Sequence, residues 1–129
     1  MKSSFLFFLK LIAAIIMLET LFFKFTGAQE SIYLFTKIAA KNETYMRIGI
    51  GILELLASIL LFIPKTVWLG SLLAIGLMFG AIFSHLTILG IEFNNDGGVL
   101  FYSAIITFIA SVIIFYNERK NIPFFGESL

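Results

Sequence analysis

The sequence contains no cysteine and only one histidine among its 129 residues. The absence of cysteine excludes disulfides, thiolate metal sites and redox chemistry by a CxxC pair. A single histidine also excludes a haem held by two histidines of the same chain. The net charge of +1 gives no electrostatic basis for binding nucleic acid, so that class of partner is excluded as well.

Charged residues are scarce too, at 13% of the chain, whereas soluble domains average about 25%. Hydrophobic residues make up 60% of the chain, and the mean hydropathy is +1.02. A water-soluble domain of this length could not bury so much apolar surface, so the composition indicates a membrane protein. The length allows one domain with about four spans, because each span needs about 20 residues.

Four apolar segments predict spans within a single transmembrane domain, residues 1–129, at residues 5–23, 46–63, 67–91 and 99–116. Spans of this kind must be helical, because lipid offers the backbone no hydrogen-bond partners. The connections after the second and third segments are short, which forces neighbouring helices to be antiparallel. We therefore predict an all-α integral membrane protein built as an antiparallel four-helix bundle. A cleaved signal peptide at the start is disfavoured, because Lys10 and Glu19 interrupt an apolar region that is also too long.

The longer connection between the first two spans has a helical pattern of its own. Apolar residues recur at helical spacing, with lysines at other positions; they are Ile32, Phe35, Ile38 and Ala39, with Lys37 and Lys41. This pattern predicts a short amphipathic helix that lies at the membrane interface.

The distribution of basic residues predicts the orientation. Lys2, Lys65, Arg119 and Lys120 lie on the side of the two termini. On the other side, the connection between the third and fourth spans has no basic residue and two acidic ones, Glu92 and Asp96. Lys24, Lys37 and Lys41 lie on that other side, with Arg47 at its margin. The balance favours an inner-membrane protein with both termini in the cytoplasm.

Ionisable residues inside the apolar segments are the main candidates for function: Glu19, Glu54 and His85. A charge at the centre of a bilayer costs about 2.5–3.5 kcal/mol on insertion scales, so such residues usually face protein. Around Glu54, the spacing of Arg47, Gly51 and Ser58 places all four residues on one helix face. That face should be directed into the protein and not towards lipid. In the third span, a row of small residues at every fourth position allows close helix approach, namely Gly76, Gly80 and Ser84.

Two interpretations of these charges remain open. In the first, Glu19 and Glu54 pair with Arg47 or His85, or are protonated, and stabilise helix packing. In the second, the polar groups form a pocket that holds a lipid head group, a quinone ring or a proton. The candidate pocket residues are Glu19, Arg47, Glu54, Ser84 and His85. No catalytic constellation is visible, and metal ligation by Glu19, Glu54 and His85 has little support because the ligands are scattered singly.

Short motifs in the first three segments and in the loop after the third resemble those of one family. They are Glu19-Thr20-Leu21-Phe22-Phe23-Lys24-Phe25-Thr26-Gly27, Arg47-Ile48-Gly49-Ile50-Gly51-Ile52-Leu53-Glu54-Leu55, Gly80-Ala81-Ile82-Phe83-Ser84-His85-Leu86 and Asn95-Asp96-Gly97-Gly98. In this order they resemble the DoxX-like family of small bacterial membrane proteins, from about residue 10 to residue 115 of this chain. The resemblance implies a four-helix membrane bundle and directs attention to Glu54 and His85.

The resemblance also implies two functional alternatives. Some members of the family resemble the small subunit of thiosulfate:quinone oxidoreductase or join membrane oxidoreductase complexes, and many have no known activity. The first expectation is therefore a membrane subunit of a redox system that binds quinone or relays protons. The second is a non-enzymatic membrane factor that binds lipid or another membrane protein. A quinone site predicts a cavity open to lipid near His85, whereas protein binding predicts a packed centre and an exposed small-residue face.

Overall fold

The computed structural model describes residues 2–19, 21–92 and 97–123. The described residues form six α-helices: α1 (Lys2–Glu19), α2 (Leu21–Thr26), α3 (Gln29–Ala39), α4 (Glu43–Leu60), α5 (Val67–Ser84) and α6 (Val99–Glu118). A π-helical turn, His85–Leu89, extends α5 and ends at Gly90, which has a φ of 83°. Short 3-10 helices occupy Ala40–Asn42, Pro64–Thr66 and Arg119–Asn121.

The four long helices form a closed ring in which each packs against two others. Helix α1 contacts α4 and α6, and α5 contacts the same two helices from the other side. The predicted all-α bundle is therefore confirmed. The short helix predicted between the first two spans is confirmed as α3, which packs against α4 and the π-helical turn. We call this end of the molecule, where α3, the start of α4 and the π-helical turn lie together, the α3 end.

In the part of the chain that the structure describes, three helical stretches are long and apolar enough to cross a membrane: Ser4–Thr26, Pro64–Leu89 and Val99–Asn121. They correspond to the first, third and fourth predicted spans. Helix α4 has 18 residues but carries Glu43, Arg47 and Glu54, and it is not among these three. Its crossing of the membrane stays a prediction, which depends on how its charges are accommodated inside the protein.

Small side chains fill about half of the buried positions of the bundle, which brings the helices close together there. Ala13, Ala57 and Ala74 are fully buried where α1, α4 and α5 meet. Helices α4 and α5 approach each other closely at Gly70 of α5, where an added Cβ would lie 2.8 Å from the backbone nitrogen of Leu61. No side chain can occupy this position unless α4 and α5 move apart.

Two hydroxyl groups in the interior have no hydrogen-bond partner among the described residues. They belong to Thr107 and Ser111 of α6, both 0% exposed. By contrast, the buried hydroxyl of Ser58 donates to the backbone oxygen of Glu54 at 2.8 Å. Because the two residues of α6 are four positions apart, their hydroxyls lie on the same helix face.

Replacing Thr107 with valine is expected to stabilise the protein by about 1 kcal/mol, because it removes an unpaired buried hydroxyl without changing the side-chain shape. The change is measured as the shift in thermal unfolding of the purified protein in detergent. Ser58→Ala is the control, since it removes a paired hydroxyl and is expected to destabilise or leave stability unchanged. A clear loss of stability in Thr107→Val would show that this hydroxyl is hydrogen-bonded in solution.

Candidate functional site

The polar face of α4 is buried along its length. Arg47, Gly51, Glu54 and Ser58 are all buried in the bundle, although apolar residues dominate the helix around them. Leu53 and Leu55, the neighbours of Glu54 in sequence, are 38% and 39% exposed. The helix therefore turns its polar groups towards protein and its leucines outwards, as the spacing predicts.

Glu54 is paired with a cation from α2. Its Oε1 atom lies 2.6 Å from the Nζ atom of Lys24, and the two side chains are 6% and 12% exposed. Sequence analysis expected Arg47 or His85 as the partner of Glu54, and the structure assigns that role to Lys24. The long stem of Lys24 allows its ammonium group to reach Glu54 from the neighbouring helix while its methylenes stay among apolar groups.

Arg47 has a different carboxylate partner. Its Nε atom donates to Oε2 of Glu43 at 3.0 Å, one helical turn earlier on α4. Its Nη1 atom also donates to the backbone oxygen of Lys24. Glu43 lies before the predicted span, and the pKa of its carboxyl is held below the usual value by the hydrogen bonds from Arg47 and Thr44. Arg47 thus links the first turn of α4 to the end of α2.

A close contact between Phe25 and Gly51 accompanies these polar interactions. A Cβ atom on Gly51 would lie 2.8 Å from the ring of Phe25. Any side chain at position 51 would therefore clash with the ring. The contact lies between Arg47 and Glu54 on the same face of α4. Helix α2 is therefore fixed to α4 by an ion pair, a hydrogen bond to its backbone and an aromatic contact within two helical turns.

His85 lies at the junction between α5 and the π-helical turn and is only 4% exposed. Its Nδ1 atom is 2.8 Å from the backbone oxygen of Gly90 and must be the donor, because a carbonyl oxygen only accepts. Nε2 of a neutral ring then carries the lone pair and is the acceptor. The ring also meets the ring of Phe101 in an edge contact at 5.7 Å between centroids.

The structure does not join the five candidate pocket residues by direct contacts. Among the described residues, no hydrogen bond or ion pair connects Glu54 to His85. Glu19 is exposed at the end of α1, and Ser84 is half-buried beside His85. In the described part of the chain, no three acidic, histidine or cysteine side chains come together in a way that could hold a metal ion. Lys24 and Glu43 are the two charged residues that sequence analysis did not include in the group.

An apolar groove lies on the outside of the bundle between α4 and α5. Its volume is about 480 Å³, and it is lined by Leu53, Leu56, Leu60, Leu69, Leu72, Leu73, Gly76 and Leu77. Apart from the two chain neighbours and the adjacent backbone of α5 itself, no atom of the described residues lies within 4 Å of a Cβ built on Gly76 or on Gly80. The small-residue row noted in the sequence therefore has an exposed part on the surface of α5, unlike Gly70, which is required for packing within the chain.

The bundle fold and its apolar spans define an all-α membrane protein. The profile of the DoxX family matches residues 5–87, which is more than half of the chain. The chain therefore belongs to the DoxX family, as the resemblance indicated. Comparison with curated proteins and with solved structures finds no match.

Proposed function

We propose that this DoxX-family membrane protein is a non-enzymatic factor that binds a transmembrane helix of another membrane protein along the groove between α4 and α5. The observation that carries the proposal is Gly76, which lies in the groove with open space over its Cα. A helix-interior glycine costs about 0.5–1 kcal/mol relative to alanine, and packing inside this chain gives no reason for it. Small residues at lipid-facing positions allow the backbone of a second helix to approach closely.

The packed centre of the bundle supports the same proposal. The interior positions of α1, α4 and α5 are filled by fully buried side chains such as Met17, Ala57 and Ala74. The groove is lined by apolar residues alone, so it offers no donor to the oxygens of a quinone ring. The family resemblance suggests that the partner is a membrane oxidoreductase, in which this chain would be the binding subunit.

The second candidate function is quinone binding or proton relay at the α3 end. It is favoured by the buried His85. The Nδ1–H group of His85 donates to the backbone oxygen of Gly90, and Nε2 of the neutral ring is an acceptor. A neutral imidazole nitrogen of this kind can accept a hydrogen bond from the hydroxyl of a reduced quinone. The buried pair of Lys24 and Glu54 adds ionisable groups between α2 and α4.

The proposed orientation in the inner membrane has both termini in the cytoplasm. On the side opposite the termini, Lys24 and Arg47 are each matched by a carboxylate, whereas Lys37 and Lys41 are exposed. On the side of the termini, Lys65 and Lys120 are exposed. The positive-inside rule counts Lys and Arg and not net charge, so these pairs leave the count unchanged, and the proposed orientation depends on the connection between the third and fourth spans, which has no basic residue.

Replacing Gly76 with leucine is expected to abolish co-purification of a membrane partner, because the new side chain fills the groove. The protein is purified from its native membrane in mild detergent, and the stoichiometry of the complex is measured by native mass spectrometry. Ile109→Phe is the matched control, since it adds bulk to an exposed position of α6, which does not line the groove.

Three outcomes of this experiment would contradict the main proposal. A complex that survives Gly76→Leu places the partner elsewhere on the protein. A tightly bound lipid that the variant loses, with no protein partner, makes the groove an acyl-chain site. A bound quinone that is lost in His85→Ala but kept in Gly76→Leu supports the second candidate function.

A further inference from the structure

Glu19 is an acidic residue that the bundle does not cover. It is the last residue of α1, and its side chain is exposed. Ile15 and Phe23, four positions before and after it, are 60% and 51% exposed. Met17, two positions earlier and therefore on the other side of the helix, is 1% exposed. Glu19 thus lies on the outer face of α1, among apolar side chains.

The depth of Glu19 in the membrane makes its exposure costly. Ser4 begins the apolar stretch Ser4–Thr26 and lies fifteen residues before Glu19, which is about 22 Å along a helix. The hydrocarbon core is about 30 Å thick, so Glu19 lies about 8 Å inside its opposite boundary. Helix side chains tilt towards the N-terminus, which directs the short side chain of Glu19 away from that boundary and deeper into the membrane.

The chain itself provides no cation for Glu19. Among the described residues, no ion pair or side-chain hydrogen bond includes its carboxylate, and Lys24 is bonded to Glu54. Lys10 is nine residues earlier on α1, about 13 Å along the helix axis. A two-fold dimer through the outer face of α1 would therefore place Glu19 against Glu19 and leave Lys10 at a different depth. Such a dimer is disfavoured, because like charges repel.

We infer that the outer face of α1 is a docking surface for a transmembrane helix of another protein, and that Glu19 pairs there with a lysine or arginine of that helix. An unpaired charge costs about 2.5–3.5 kcal/mol at the bilayer centre, and ionisable residues within membranes usually pair with one another. Charge complementarity therefore defines the partner as an apolar helix with one basic residue at the depth of Glu19. The amine of a lipid head group does not fit, because it lies at the interface.

This docking surface is separate from the groove between α4 and α5. The groove is lined by residues of those two helices alone, and α1 packs against α4 and α6. The groove offers a shape without charge, whereas α1 offers a single charge on an apolar face. Docking at α1 therefore goes beyond the proposed function and does not depend on whether the groove is occupied.

Site-specific photocrosslinking in the native membrane tests this docking surface. Benzoylphenylalanine replaces Ile15, one turn from Glu19 on the exposed face, and the cross-linked peptide is sequenced by mass spectrometry. The expected product is a transmembrane segment of another protein with a lysine or arginine at the depth of Glu19. Glu19→Gln is expected to lower its yield about tenfold, which corresponds to about 1.4 kcal/mol of lost pairing.

Four controls separate docking at α1 from other effects. Glu19→Asp keeps the carboxylate and is expected to retain most of the cross-link. The same photoreactive residue at Ile109, which is 54% exposed on α6, is expected to react with lipid. Gly76→Leu fills the groove and is expected to leave the cross-link at α1 unchanged. Thermal unfolding of Glu19→Gln is expected to match that of the unaltered protein, because its carboxylate makes no bond within the described chain.

Several results would overturn the docking surface at α1. One is a cross-link at position 15 to lipid alone, to a second copy of the chain, or to a transmembrane segment without a basic residue. Another is a yield that Glu19→Gln leaves unchanged or that Gly76→Leu lowers equally. A loss of thermal stability in Glu19→Gln that accompanies the loss of the cross-link would mean that Glu19 acts within the bundle.

Discussion

Gly70→Ala is expected to destabilise the protein by about 2–3 kcal/mol, at the upper end of the cost of overpacking a well-packed core. The added methyl group would lie 2.8 Å from the backbone nitrogen of Leu61, 2.9 Å from Cβ of Leu60 and 3.0 Å from the backbone oxygen of Ala57. Two of these three neighbours are backbone atoms, which cannot rotate away. The structure can accommodate the methyl group only by separating α4 from α5, and thermal unfolding in detergent measures the cost.

Gly76→Ala is the matched control on the same helix. A Cβ at Gly76 meets no atom within 4 Å, so the substitution adds no clash within the chain. It is expected to leave stability unchanged or to raise it by up to about 1 kcal/mol, because alanine is the better helix former. Equal losses in the two variants would mean that the close approach of α4 and α5 does not determine their packing energy.

Glu54→Lys is expected to remove most of the protein from the membrane fraction. It leaves two ammonium groups facing each other inside the bundle, where Oε1 of Glu54 and Nζ of Lys24 are now 2.6 Å apart. Removal of one partner from a buried ion pair costs about 3–5 kcal/mol, and reversal of the charge adds repulsion. The amount of full-length protein in isolated membranes, measured by immunoblot, reports the loss.

Combining this change with Lys24→Glu is expected to recover much of the lost protein, since the pair then exists with its charges exchanged. Glu19→Lys is the comparison for charge reversal in an apolar helix without a buried partner. Glu19 is exposed, so a lysine there can extend along the helix surface to the interface. If Glu19→Lys were as harmful as Glu54→Lys, or if the double variant were no better than the single one, the pair would not explain the effect.

The local features of the fold could be predicted from the sequence because they depend on the spacing of residues along a single helix. The shared face of Arg47 and Glu54 follows from helical periodicity, and so does the amphipathic α3. The pair between Glu43 and Arg47 also has the i,i+4 spacing of helix ion pairs, so a local signal for it was present. Sequence analysis did not use that signal, because it looked for the partner of Arg47 deeper in the apolar run.

The partner of Glu54 could not be predicted in the same way. Lys24 is 30 positions away in the sequence, and its approach depends on how α2 leaves α1 and packs along α4. The π-helical turn at His85 has no periodic signal of its own either. Gly90, whose φ of 83° ends that turn, is the one residue in the sequence that indicates a break there.

Small residues occupy many interior positions of this bundle and large apolar residues face outwards, which is the opposite of the usual arrangement in soluble proteins. About half of the buried positions among the described residues are alanine, serine or glycine, while Phe79 and Phe83 are 63% and 59% exposed on α5. Substitutions should therefore be limited by size on the inside and by polarity on the outside. A bulky apolar residue should therefore be harmful at the small buried positions of this bundle and among the mildest changes on its surface.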